Sequence, residues 1–236
     1  MESPSASLQA ELDASRAYHE GRTQGQTPAD KGVISWFERE VVDTNLEGAV
    51  LIDGLLQGAR LIRCCLDGVL AYDALAGHSV WDGSSLVDAE FRQASMVNAS
   101  LRETVLDGAR FAKVDLAGGV FSGARARGAN FFKAWMPGAN LAGVDLQGAD
   151  LTRARLDGAD LSGANLAGAT LTSASINCST KLAGCTGLDS ARVDRLLIDG
   201  KVVEGDDARR ELVARASGLP GVLRADDPDA DEPQEG

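Results

Sequence analysis

Two histidines, His19 and His78, and four cysteines, Cys64, Cys65, Cys178 and Cys185, are the side chains of this 236-residue sequence best suited to catalysis or metal binding. Their spacing supports neither chemistry. The histidines fall in regions expected to be far apart, and no glycine-rich phosphate loop precedes a helix. Adjacent Cys64 and Cys65 cannot both serve one bridge, and Cys178-x6-Cys185 is not a usual zinc spacing. The four thiols are expected to be reduced, small buried or surface groups in a cytoplasmic protein. No catalytic residue, metal or cofactor is assigned, and no enzymatic activity is expected.

The remaining chemistry is electrostatic and recurs at intervals of twenty residues. Glu47, Asp67 and Asp107 share one such column, with Asp88 beside them, and form a candidate acidic face. A second column runs Asp53, Asp73, Gln93, Lys113, Lys133 and Arg153. If twenty residues bring the chain back above itself, its three bases lie about 5 Å apart and repel one another. Such a column would welcome an anion or an acidic partner, although solvated rungs of a repeat are the leading explanation. The whole chain carries 35 Asp and Glu against 23 Lys and Arg, a net charge of −12. That balance disfavours direct binding to nucleic acid or an anionic membrane and leaves basic partners open. The charge is uneven: residues 44–108 hold nine acids and four bases, residues 109–178 five acids and seven bases.

The elements that position these columns come from a repeat of five. From Thr44 to Cys178 the chain divides into 27 consecutive pentads without insertion or deletion. Their third position holds 16 Leu, four Phe, two Met, one Ile and one Trp, with only Ala71, Ala76 and Ala126 small. Their first position is always small or β-branched, Ala in 17 cases, and their fifth is Gly in 14. A step of five turns an α-helix by about 140° and would scatter the leucines. In a long flat strand an odd step would flip faces each time. A short extended piece fits, with the first and third residues inward and a bend at the fourth and fifth, where glycine supplies φ freedom. Four bends close a square. Bulky side chains then stack at a spacing of twenty, as Phe91, Phe111 and Phe131, and as Met96, Leu116 and Met136. This also explains 44% hydrophobic residues with only 5% aromatic.

Pentads such as Ala139-Asn140-Leu141-Ala142-Gly143 and Ala159-Asp160-Leu161-Ser162-Gly163 resemble the pentapeptide-repeat family, whose motif is Ala-(Asp/Asn)-Leu-x-x. The resemblance covers residues 44–178 and implies an all-β solenoid, a right-handed quadrilateral β-helix, here of about seven coils, often dimeric. It implies much less about function. The best understood members are acidic rods that mimic DNA, bind DNA gyrase or topoisomerase IV and protect them from quinolones or peptide toxins. A scaffold or adaptor role is the alternative.

A solenoid needs covers at both ends. Residues 1–43 supply a helix at Leu8–Glu20 closed by Gly21, then an apolar stretch around Trp36 and Val41. Residues 179–224 are read as a helical cap, with helices near Ser190–Ile198 and Asp207–Ser217 around a turn at Asp199-Gly200. Residues 225–236 are acidic and expected to be disordered. The start has no signal-peptide pattern and no apolar run is long enough for a membrane span. Leu55, Leu70, Tyr72, Leu75 and Val80 point outward in the early coils, either an interface or a patch covered by the N-terminal segment. Ala71 and Ala76 precede Trp81 on one coil, and either leave room for its indole or mark a local distortion.

Overall fold

In the computed structural model, which describes residues 2–22 and 33–219, the backbone forms a four-sided parallel β-helix. Each pentad makes one side. Its second residue bridges the residue twenty positions away, as in Val50↔Leu70, Ser95↔Asp115 and Trp135↔Arg155. Four sides therefore complete one turn.

The hydrogen-bond accounting explains why five residues suffice. In the pentad Ala149–Arg153, Asp150 N donates to Ala129 O one coil away, while Leu151 N donates to Thr170 O and Arg153 N to Thr172 O on the opposite side. Ala154 N, opening the next pentad, donates back to Leu151 O at 3.0 Å and closes a β-turn over Thr152 and Arg153. Only the fourth residue's N–H lacks a backbone acceptor. Asp150 Oδ1 accepts it from Thr152 at 2.9 Å. Asn130, Asn140, Asp145, Asp160 and Asn165 do the same for their own fourth residues. The Asp/Asn of the motif is thus a turn-building acceptor, which the chain needs because a buried N–H without a partner is costly.

Every fifth residue from Gly48 to Ser173 has positive φ, between 51° and 75°, whether or not it is glycine. This is the left-handed region a type II turn requires at its third residue. The first and third residues fill the interior. Phe91, Phe111 and Phe131 stack with centroids 5.2 and 5.3 Å apart and planes within 6°. Trp81 is fully buried beside Ala71 and Ala76, edge-on to Phe91 at 5.4 Å. Its Nε1 donates to Ser79 Oγ at 2.6 Å.

Helix α1 (Ala6–Arg22) contains the expected Leu8–Glu20 and covers the first coil. Leu8 and Leu12 are buried, Ser15 Oγ donates to Val50 O, and Glu11 Oε2 accepts from Trp36 Nε1 and Arg39 Nη1. Strand β1 (Glu40–Val42) already pairs in parallel with β2 (Arg60–Ile62), so the coil begins before Thr44.

The C-terminal end differs from a purely helical cap. Parallel pairing continues through Asp160↔Lys181, Asn165↔Thr186 and Thr170↔Arg192, the longer offsets absorbing extra residues. β3 (Ala174–Ile176) then pairs with β4 (Arg195–Ile198), and β4 forms an antiparallel hairpin with β5 (Lys201–Glu204). The helix expected near Ser190–Ile198 is therefore a turn and a strand. Leu196 and Ile198 alternate inward and complete the last rung, and this pairing outweighs local helix preference. The turn at Asp199-Gly200 forms as expected. Helix α2 (Gly205–Ala216) closes the end with Ala208 and Leu212. Buried Glu211 accepts from Arg215 Nε at 2.7 Å, and Arg215 Nη1 reaches Asn177 O. The proposed acidic tail at 225–236 lies outside the described residues.

Candidate interaction surface

The square section leaves the second, fourth and fifth residues of each pentad facing out, and these carry all the charged columns. Four edges of fifth residues run along the rod. Their backbone is held by rungs from both neighbouring coils, so side chains project from fixed points.

The acidic candidates divide into two kinds. Glu47 and Asp88 are exposed. Asp67 is committed to the coil above, accepting from Ser85 Oγ at 2.5 Å and Val87 N at 2.9 Å. Asp107 accepts from Arg127 N at 3.0 Å and pairs with Arg125 at 2.9 Å. Ser85 and Arg125 stand where other pentads have Asp or Asn, so Asp67 and Asp107 supply from below the acceptor that those turns lack. The sequence columns do not reveal this substitution, because it depends on which N–H groups remain unpaired. Asp145 and Asp160 serve their own turns. Burial pushes the Asp145 carboxyl up, but the Arg127, Gln147 and Asn165 hydrogen bonds outweigh it and hold it below the usual range. Ser162, and then Lys181, do the same for Asp160.

The candidate bases behave differently. Lys113, Lys133 and Arg153 are exposed, at φ 61°, 56° and 59°. None has a carboxylate partner among the described residues. Lys133 Nζ sits over Phe132 at 5.2 Å, and one coil on Arg155 lies over Trp135 at 4.4 Å.

The apolar candidates are partly covered. α1 buries Val50, and Arg16, His19 and Glu20 border Ile52 and Leu70. Leu70, Tyr72 and Val80 are half-buried, whereas Leu55 and Leu75 remain 40% and 43% exposed. Trp135, also 43% exposed, was not among the sequence candidates; it lies in the same column of bridges as Leu55 and Leu75. Its signal was present as a multiple of twenty from Leu55.

The thiols and imidazoles form no site. All four cysteines are free, Cys64 is buried, and burial pushes the Cys185 thiol up to about 11. His19 lies on α1 and His78 at an exposed corner. No group of three or more His, Cys, Asp or Glu side chains able to hold a metal occurs among the described residues. No helix among them is long and apolar enough to cross a membrane.

The family model for pentapeptide repeats matches residues 84–123, 109–148 and 139–177. Among curated proteins none matches the sequence. Solved structures similar to the chain include a pentapeptide repeat protein from the Arabidopsis thaliana thylakoid lumen, 33% identical over 36% of this chain, with a TM-score of 0.36. The match spans 59% of that protein's own length. HetL, a pentapeptide repeat protein involved in heterocyst differentiation regulation in Nostoc sp. strain PCC 7120, is 23% identical over 72% of this chain and 92% of its own, with a TM-score of 0.40. QnrB1, a plasmid-mediated fluoroquinolone resistance protein, is 17% identical over 69% of this chain and 92% of its own, with a TM-score of 0.45. The matched segments show that residues 84–177 consist of pentapeptide repeats, whose fold is the right-handed β-helix, and the same five-residue hydrogen-bond register continues towards Thr44.

Proposed function

We propose that this chain is a non-enzymatic, protein-binding solenoid that acts by presenting a rigid outer surface. The observation that carries this reading is that its large exposed apolar side chains within the pentads, Leu55, Leu75 and Trp135, fall in one column on a backbone fixed by rungs on both sides. Isolated exposed apolar residues need no explanation, but alignment along a rigid edge favours a partner surface. The partner reading is that of a scaffold or adaptor.

A second reading has the rod bind a type II topoisomerase as a DNA mimic and protect it from drugs, as the resistance role of QnrB1 suggests. It is favoured by the acidic balance of residues 44–108, with Glu47 and Asp88 exposed. The weakly acidic rod and the engagement of Asp67 and Asp107 within it count against this reading. A gyrase supercoiling assay with a quinolone separates the two. The adaptor reading expects no effect at excess protein. Protection that disappears on replacing Glu47 and Asp88 with Gln and Asn would instead support mimicry.

A further inference from the structure

The bases of the rod are unevenly used. Of the 11 Lys and Arg in the pentads, eight pair with a carboxylate within 4.0 Å. The other three, Lys113, Lys133 and Arg153, are exposed, follow one another at one-coil intervals along a single edge, and have no such partner among the described residues. The edge stays basic towards the C-terminal end of the rod. Arg195 precedes Leu196, the partner of Ala174, and so stands one coil above Ser173 on the same edge. It meets Glu204 at 4.0 Å, with both side chains largely exposed. The carboxylates beside this strip are already engaged: Asp115 accepts from Ala117 N, Asp150 from Thr152 N, and Asp157 pairs with Arg155.

Residues 220–236 carry the complementary charge: six Asp and Glu between Asp226 and Glu235, against Arg224 alone. They continue from Leu219, which is 61% exposed and borders a depression with Ser162, Lys181 and Ala183. Ala183 O accepts from Gly163 N one coil below, and Gly163 lies two sides round the square from Arg153. With three extended residues to a side of about 10 Å, the path over the surface from Leu219 to Arg153 is about 20–25 Å. Seven extended residues reach about 23 Å, which brings Asp226 to Arg153. The carboxylates that follow have chain to spare for the two further levels to Lys133 and Lys113, at about 5 Å each. A nucleic acid would have to approach a chain of net charge −12. An acidic partner in trans would compete with a segment whose tether holds it at an effective concentration on the order of millimolar.

We propose that the acidic segment 226–235 docks on this basic edge of its own rod, running from Arg153 towards Lys113. The contacts are between exposed charges, so each is weak, and the docking is reversible and screened by salt. The segment is thereby a tethered competitor: an acidic protein partner reaches Lys113, Lys133 and Arg153 only by displacing it. The proposal goes beyond the protein-binding reading and stands whichever partner the rod has.

Zero-length carbodiimide crosslinking of the full chain, read by peptide mass spectrometry, tests it, with circular dichroism confirming that each variant folds. The reagent joins a carboxylate to an amine only where the two touch. Lys181 is the control, since it borders the same depression as Leu219, off the basic edge, and an undocked segment would meet it first. At low ionic strength, crosslinks from 226–235 should favour Lys113 and Lys133 over Lys181, and they should vanish in about 0.5 M salt. In a mixture of isotope-labelled and unlabelled chains they should stay within one molecule. R153E keeps both lysines, and Glu103 at φ 55° shows that such a corner accepts a glutamate. It should cut the yield about fivefold. No crosslink to Lys113 or Lys133 would overturn the proposal, as would a higher yield on Lys181 or a yield unchanged in R153E. Crosslinks joining labelled to unlabelled chains would give the edge to a second copy and overturn it as well.

Discussion

Replacing Lys113, Lys133 and Arg153 together by glycine should stabilise the protein although it deletes three side chains. All three residues hold φ near +60°. An L-residue pays roughly 1–2 kcal/mol in the left-handed region. Glycine escapes that penalty but gains about 0.4–1 kcal/mol of extra freedom when unfolded. The difference favours glycine by about 0.5–1 kcal/mol per position. The three sites lie one coil apart, so removing their mutual repulsion works in the same direction. A total near 2 kcal/mol corresponds to a rise in Tm of about 4–8 °C for a chain of this size. Scanning calorimetry in moderate salt is the assay. Gly143→Ala is the reverse control: its φ is 69° and nothing lies within 4 Å of an added Cβ, so only the backbone conformation is penalised. It should lower Tm by about 1–4 °C. A triple variant with unchanged or lower Tm would refute the argument that this edge stores conformational strain.

Three further outcomes follow from the repeat's hydrogen bonds and core. Asp150→Ala strands the Thr152 N–H and should cost about 1–3 kcal/mol by urea denaturation, whereas Asp150→Asn keeps an acceptor and should stay near wild type. Phe111→Ala opens the middle of the stacked ring ladder and should cost about 3–5 kcal/mol in the same measurement. Asp145 and Asp160 are held below their ordinary range, so their contribution is fully present above the unfolded value of about 3.9 and lost as pH falls through the folded one. Asp160→Asn should accordingly flatten the decline of Tm below about pH 4. An unchanged slope would remove Asp160 from the account of acid sensitivity.

The repeat was legible because it is local. One large and one small inward residue per five, with glycine at the bend, determines side length, corner and core without long-range information. Phe91, Phe111 and Phe131 could be placed in one column by counting alone. The cap near Ser190–Ile198 was misread for the opposite reason: once insertions break the count, only pairing with β3 decides that Leu196 and Ile198 form a rung.

The surface shows the same division. The sequence by itself determined which residues face outward and that charges fall in columns twenty apart, since both follow from a period that needs only neighbouring residues. Only the tertiary structure decided which charges are already used. Asp67 and Asp107 satisfy backbone N–H groups of the next coil, eight arginines of the pentads find carboxylates, and Lys113, Lys133 and Arg153 find none among the described residues. Most of these hydrogen bonds and ion pairs join groups eighteen or twenty residues apart, and their existence depends on distances of a few tenths of an ångström that no residue count contains.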